Sequence, residues 1–189
     1  FAVFIGLVVV LGAWEWARLA GFANQVARVG YALLIALLVL VLYRLPGLTA
    51  WLLPLSVIWW LAATALVLGY PDSQRYWGGS LGSLVIGALN MLPAWQALVV
   101  LKQWPQGNWL IVAVMVLVWA ADIGAYFSGK TFGRRKLAPQ VSPGKSWEGL
   151  IGGLITSLLI TLCVGLYQVW SPRELALALL GAALVRTLR

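Results

Sequence analysis

Residues 128–149 read SGKTFGRRKLAPQVSPGKSWEG, the most polar and most basic run in the chain. Lys130, Arg134, Arg135, Lys136 and Lys145 place five of the 13 cations there, and no acid stands between Asp122 and Glu148. Such a run suits a polyanion. Glycines at 129, 133 and 144 let the backbone bend close to a ligand. Ser142 or Ser146 is placed to cap the following helix, whose first free N–H groups would then face the loop beside the lysines. The competing reading is a loop that only touches lipid headgroups. The order of residues favours phosphate handling. A plain topogenic loop needs neither the two Gly-Lys-hydroxyl triplets, GKT and GKS, nor prolines at both 139 and 143.

Two acids flank the run. Asp122, in VWAADIGAYF, falls near the expected cytoplasmic end of an apolar segment. An acid at membrane depth is a functional candidate by its cost alone. It could bind metal, hold Lys130 or Lys145, or sit with its carboxylate in water. Glu148 stands at a helix start, where the macrodipole favours an acid for structural reasons too.

One short pattern misleads. GAYFSGKT, residues 124–131, fits G-x-x-x-x-G-K-[ST], but that phosphate-loop pattern needs a strand before it and a helix after it. Here the run before it is a membrane-length apolar segment, and a glycine and a proline soon follow. A phosphate-loop fold is not expected.

The elements that must position these residues follow from composition. The 189 residues are 62% hydrophobic and 10% charged, with mean hydropathy +0.94. Soluble domains are about 45–50% apolar and about 25% charged. The expectation is all-α: a polytopic transmembrane helix bundle forming a single integral membrane domain over 1–189. Strands are not expected, because the apolar runs do not alternate. Seven hydrophobic segments are expected, at about 1–17, 29–45, 48–69, 79–101, 108–127, 148–170 and 174–188, the first and last short for a bilayer. Proline, glycine and polar residues mark the breaks. The 12 tryptophans suit interfacial anchoring. The lone Cys163 has no internal disulfide partner.

The net charge is +8 with no histidine. With a basic loop at about 128–147 in the cytoplasm, Arg18, Arg28, Arg75, Lys130, Arg134, Arg135, Lys136, Lys145, Arg186 and Arg189 face inward. Arg44, Lys102 and Arg173 face outward. Ten against three is a positive-inside bias, which explains the basic balance without nucleic acid. Both ends of the sequence read as lying within or just after a span, so we expect a fragment. G-x-x-x-G pairs at Gly149/Gly153 and Gly78/Gly82 permit close helix approach.

ADIGAYFSGKTFGRRKLAPQVSPGKSWEGLIGG resembles the central block of the bacterial phosphatidate cytidylyltransferase (CDP-diacylglycerol synthase) family, and WEWARLAGF resembles an early segment of the same family. The order of apolar spans agrees over essentially the whole chain. The resemblance implies an integral enzyme of the bacterial inner membrane. It would join CTP to phosphatidate with Mg2+, yielding CDP-diacylglycerol and pyrophosphate, among membrane lipids and as a homodimer. It implies catalytic roles for Asp122, Lys130 and Lys145, with Ser142, Ser146, Arg134, Arg135, Lys136 and Glu148 binding substrate. The family's acid-rich, histidine-containing block, which supplies metal carboxylates, has no counterpart here. The metal ligands are therefore unassigned, and this chain alone is expected to be inactive or nearly so. The rival classes are a transporter, with Thr64, Ser83, Asn90 and Thr156 as mid-span polar residues, and a non-catalytic membrane scaffold.

Overall fold

In a computed structural model, which describes residues 1–139, 142–168 and 170–187, the chain is helical with one small hairpin. The helices are α1 (Ala2–Leu19), α2 (Gln25–Arg44), α3 (Thr49–Leu68, entered by a 3-10 turn at Pro46–Leu48), α4 (Gln74–Trp77), α5 (Ser80–Gln103) and α6 (Gly107–Phe132). Strands β1 (Lys136–Ala138) and β2 (Ser142–Ser146) follow, then α7 (Trp147–Tyr167) and α8 (Pro172–Thr187). Among the described residues, six helices are long and apolar enough to cross a membrane: α1, α2, α3, α5, α6 and α7. The first of the seven expected segments therefore suffices, at 18 residues. The last forms α8, with 16 described residues, and is not among those six. Leu188 and Arg189 lie outside the described residues, as do Gln140 and Val141 of the basic loop and Val169 of the sixth segment. Of Arg186 only the backbone is described.

The chain forms two compact units, Phe1–Gly107 and Asn108–Arg189. In the first, small residues let α1 and α2 approach. Ala13 and Ala17 are fully buried against Tyr31 and Ile35. Gly87 of α5 gives berth to two aromatic rings, since a Cβ there would lie 2.5 Å from the Trp16 ring and 2.8 Å from Tyr31 Oη. Trp16 Nε1 donates to the Ser83 carbonyl at 2.7 Å, and Tyr31 Oη donates to that of Leu84 at 2.7 Å. Trp95, 1% exposed, donates to the Ala2 carbonyl. The tryptophans serve more than one purpose. Trp51, Trp104, Trp109 and Trp147 are exposed near helix ends, as anchoring requires. Trp16, Trp59 and Trp95 instead use the indole N–H inside the unit, because a donor in lipid needs an acceptor.

No residue of α3 is buried, and Trp51, Leu55, Ile58, Trp60, Leu61 and Leu68 lie open. In water that face would aggregate; in lipid it is in its proper solvent. Three of the mid-span polar residues have partners within the unit that holds them. Thr64 and Thr156 donate to carbonyls four residues back, and Asn90 accepts from Trp59.

In the second unit α7 turns Gly149, Gly153, Ser157, Thr161 and Gly165 inward. The Gly149/Gly153 pair therefore serves packing within the chain.

Candidate functional site

Helix α6 carries the first half of the site. Asp122, Tyr126 and Lys130 stand four residues apart, with Ala125 and Gly129 between them at helical steps, so all share one face. The helix does not stop at residue 127. It continues through SGKTF to Phe132, because a polar stretch with a single glycine costs a helix only about 1 kcal/mol. Lys130 is therefore helical, and the loop expected from residue 128 begins at Gly133, whose N–H donates to the Gly129 carbonyl at 3.1 Å. GAYFSGKT lies wholly within the helix and makes no phosphate loop. Asp122 is exposed and lies about 15 Å before the Phe132 end of the helix.

The hairpin carries the second half. β1 pairs antiparallel with β2, Lys136 opposite Ser146 and Ala138 opposite Ser142. Alternation does not announce strands in KLA and SPGKS. They form because both ends are tied down. The Trp147 N–H donates to the Arg135 carbonyl at 2.9 Å. Glu148 Oε2 accepts from the Arg134 N–H at 3.1 Å, and Oε1 from the Arg135 N–H at 3.2 Å. Ser146, 7% exposed, caps α7 by accepting from the Gly149 N–H at 3.1 Å.

Two glycines let the halves meet. A Cβ on Gly149 would lie 3.3 Å from the Gly129 Cα and 3.0 Å from the Ala125 carbonyl oxygen, so the α6 and α7 backbones are nearly in contact there. Lys130 lies one residue beyond this crossing on α6, and Lys145 two residues before α7.

Between them lies a cavity of about 410 Å³, within the range of about 300–1,000 Å³ typical of small-molecule sites. Asp122, Lys130, Lys145 and Ser146 line it, with Tyr126, Leu137 and Leu150. Lys130 Nζ lies 3.5 Å from Tyr126 Oη and 5.6 Å above its ring centroid. One wall is cationic and another apolar. Arg134, Arg135 and Lys136 are exposed beside the cavity's hairpin wall, and neither they, Ser142 nor Glu148 line the cavity. Tyr126, Leu137 and Leu150 were not among the expected site residues. The signal for Tyr126 was its place one turn before Lys130, legible once SGKT is taken as helix.

The fit to magnesium fails on donors. Among the described residues no three His, Cys, Asp or Glu side chains converge, and both oxygens of Glu148 are occupied by backbone N–H groups. The carboxylates here do not make a magnesium site by themselves.

The profile of the cytidylyltransferase family matches residues 1–188. The phosphatidate cytidylyltransferase of Pseudomonas aeruginosa is 65% identical over 185 residues, covering 98% of this chain and 68% of the relative. That of Haemophilus influenzae is 38% identical, covering 85% of this chain and 62% of the relative. That of Rickettsia bellii is 37% identical over 58% of this chain and 47% of its own length. No solved structure matches the chain.

Proposed function

The chain belongs to the cytidylyltransferase family, and from that premise we propose that it serves transfer of a cytidylyl group from CTP to phosphatidate, giving CDP-diacylglycerol and pyrophosphate. The observation that carries the reading is the meeting of Lys130 and Lys145, from separate elements, on one cavity with leucine walls. Both substrates are polyanions, and one of them brings acyl chains. A phosphatidate oxygen attacks the α-phosphorus of CTP. The bond from that phosphorus to the bridging oxygen breaks, and its electron pair leaves with pyrophosphate. Negative charge builds on the transferred group and the leaving oxygen, where two fixed ammonium groups stabilise it most. Holding both substrates in line supplies the remainder.

Asp122, on the same cavity, orients a lysine in this scheme, while Ser146 hydrogen-bonds phosphate or headgroup and Ser142, outside the cavity, has no contact with the reacting groups. Arg134, Arg135 and Lys136 steer anions toward the mouth. The cation asymmetry along the sequence supports a cytoplasmic loop in a bacterial inner membrane. With no cluster of three or more His, Cys, Asp or Glu among the described residues, the 189-residue chain alone is expected to turn over little substrate.

The test is incorporation of labelled cytidine from CTP into lipid, in detergent micelles with phosphatidate and magnesium. This chain is compared with a longer form carrying the acidic, histidine-containing block, each with and without Lys145→Ala. Product from the longer form, reduced by Lys145→Ala to a small but measurable rate, supports the reading. Unchanged turnover in Lys145→Ala refutes the site. No product from either folded form refutes the activity.

A further inference from the structure

Glu148 precedes Gly149 of the cavity lining without lining the cavity itself, and its carboxylate has a definite occupation. It holds the N–H groups of Arg134 and Arg135 with both oxygens. These are the first residues after the Gly133 that closes α6. The next backbone group, the Arg135 carbonyl, accepts from the Trp147 N–H. One residue earlier Ser146 caps α7 and packs by Gly129, where a Cβ would lie 3.3 Å from Ser146 Oγ. The strap between the two helices is thus clasped at both ends to the first turn of α7. Lys145 is the residue immediately before that clasp, and Lys130 sits on the α6 turn that the strap leaves. A lysine stem is long and flexible, so the place of its ammonium group depends on how firmly its backbone is held.

We propose that Glu148 is a positioning residue for the transfer reaction, acting through the strap to hold Lys145 opposite Lys130 across the cavity. The inference rests on the cytidylyltransferase reading above, but its bonding claim is separately measurable. A carboxylate accepting two N–H groups makes stronger hydrogen bonds than a neutral acceptor. An amide of the same shape keeps one acceptor oxygen and turns an NH2 toward the second donor. Glu148→Gln should therefore release one end of the strap without removing bulk.

The experiment uses the form that turns over substrate in the assay above, in micelles. Amide exchange is followed at Arg134 and Arg135, and kcat/KM for CTP is measured in Glu148→Gln, Lys145→Ala and the double variant. Exchange at both amides is expected to rise in Glu148→Gln while Tm stays near that of the parent. kcat/KM is expected to fall about tenfold in the parent background but less than twofold in the Lys145→Ala background, the non-additivity of residues acting as one unit. A residue that merely stabilised the fold would cost the same in both backgrounds, and that result overturns the proposal. Unchanged exchange overturns the clasp. Raised exchange with unchanged kcat/KM overturns the positioning role. Full activity in Lys145→Ala alone overturns the catalytic reading, a failure visible without any Glu148 variant.

Discussion

Replacing Gly149 with alanine puts a methyl group at the tightest point between α6 and α7. Its Cβ would lie 3.0 Å from the Ala125 carbonyl oxygen, 3.2 Å from Ser146 Oγ and 3.3 Å from the Gly129 Cα. Two of these three neighbours are backbone and cannot swing aside, so the helices must part by a few tenths of an ångström. Overpacking of this kind costs about 1–3 kcal/mol, against a gain of about 0.5–1 kcal/mol from alanine in a helix interior. The net expectation is a loss of up to about 2.5 kcal/mol, read as a lower Tm in detergent. Catalysis should suffer more. A displacement of about 1 Å can cost on the order of 100-fold, so a few tenths between Lys130 and Lys145 should cost roughly tenfold. Gly30→Ala is the control, since a Cβ there meets nothing within 4 Å. It should be neutral or slightly stabilising. The reasoning is refuted if Gly149→Ala matches the parent in Tm and turnover, or if Gly30→Ala is equally harmful.

Gly87→Ala should destabilise the first unit by about 2–4 kcal/mol, because the methyl displaces Trp16 and Tyr31 and breaks two hydrogen bonds of about 1 kcal/mol each as well as overpacking; thermal unfolding with tryptophan fluorescence reads it. Ser146→Ala removes the cap of α7 and should cost about 1 kcal/mol, with faster exchange at the Gly149 amide. Ser171 and Glu174 form a reciprocal cap at the start of α8: Glu174 Oε2 accepts from the Ser171 N–H at 2.8 Å and hydroxyl at 2.7 Å. These bonds, the hydroxyl's first, hold the Glu174 carboxyl below its usual pKa. A depressed carboxylate contributes stability above its unfolded pKa and loses it as pH falls through the folded one. Protection of the Ser171 amide, corrected for intrinsic exchange, should therefore hold at neutral pH and fade only well into the acid range; fading near neutrality would contradict the cap.

Hydropathy located the membrane helices well where breaks are marked by proline or glycine. The segment expected at 48–69 is α3 at Thr49–Leu68, and that at 79–101 is α5 at Ser80–Gln103. It erred where polarity and helix coincide. SGKTF lowers hydropathy without breaking the backbone ladder, so the end of α6 was hidden and Tyr126 with it. The hairpin was hidden for another reason. Its strands are held by Glu148 and Trp147, which lie in the next element, so no local pattern could reveal them. The lysines and Asp122 stood out because charge is rare in such a chain. The leucines of the cavity did not, since leucine in an apolar sequence carries no contrast.

The hydroxyls along α7 bear on how the helix enters the bilayer. Thr156, Ser157 and Thr161 each donate to the carbonyl four residues earlier in the same helix, so none needs a partner on another segment. During synthesis α7 can leave the translocon and settle among acyl chains alone, its polar groups already masked. Assembly then brings α6 against Gly149 and Gly152 of α7, with no stranded polar group on these hydroxyl positions to be rescued.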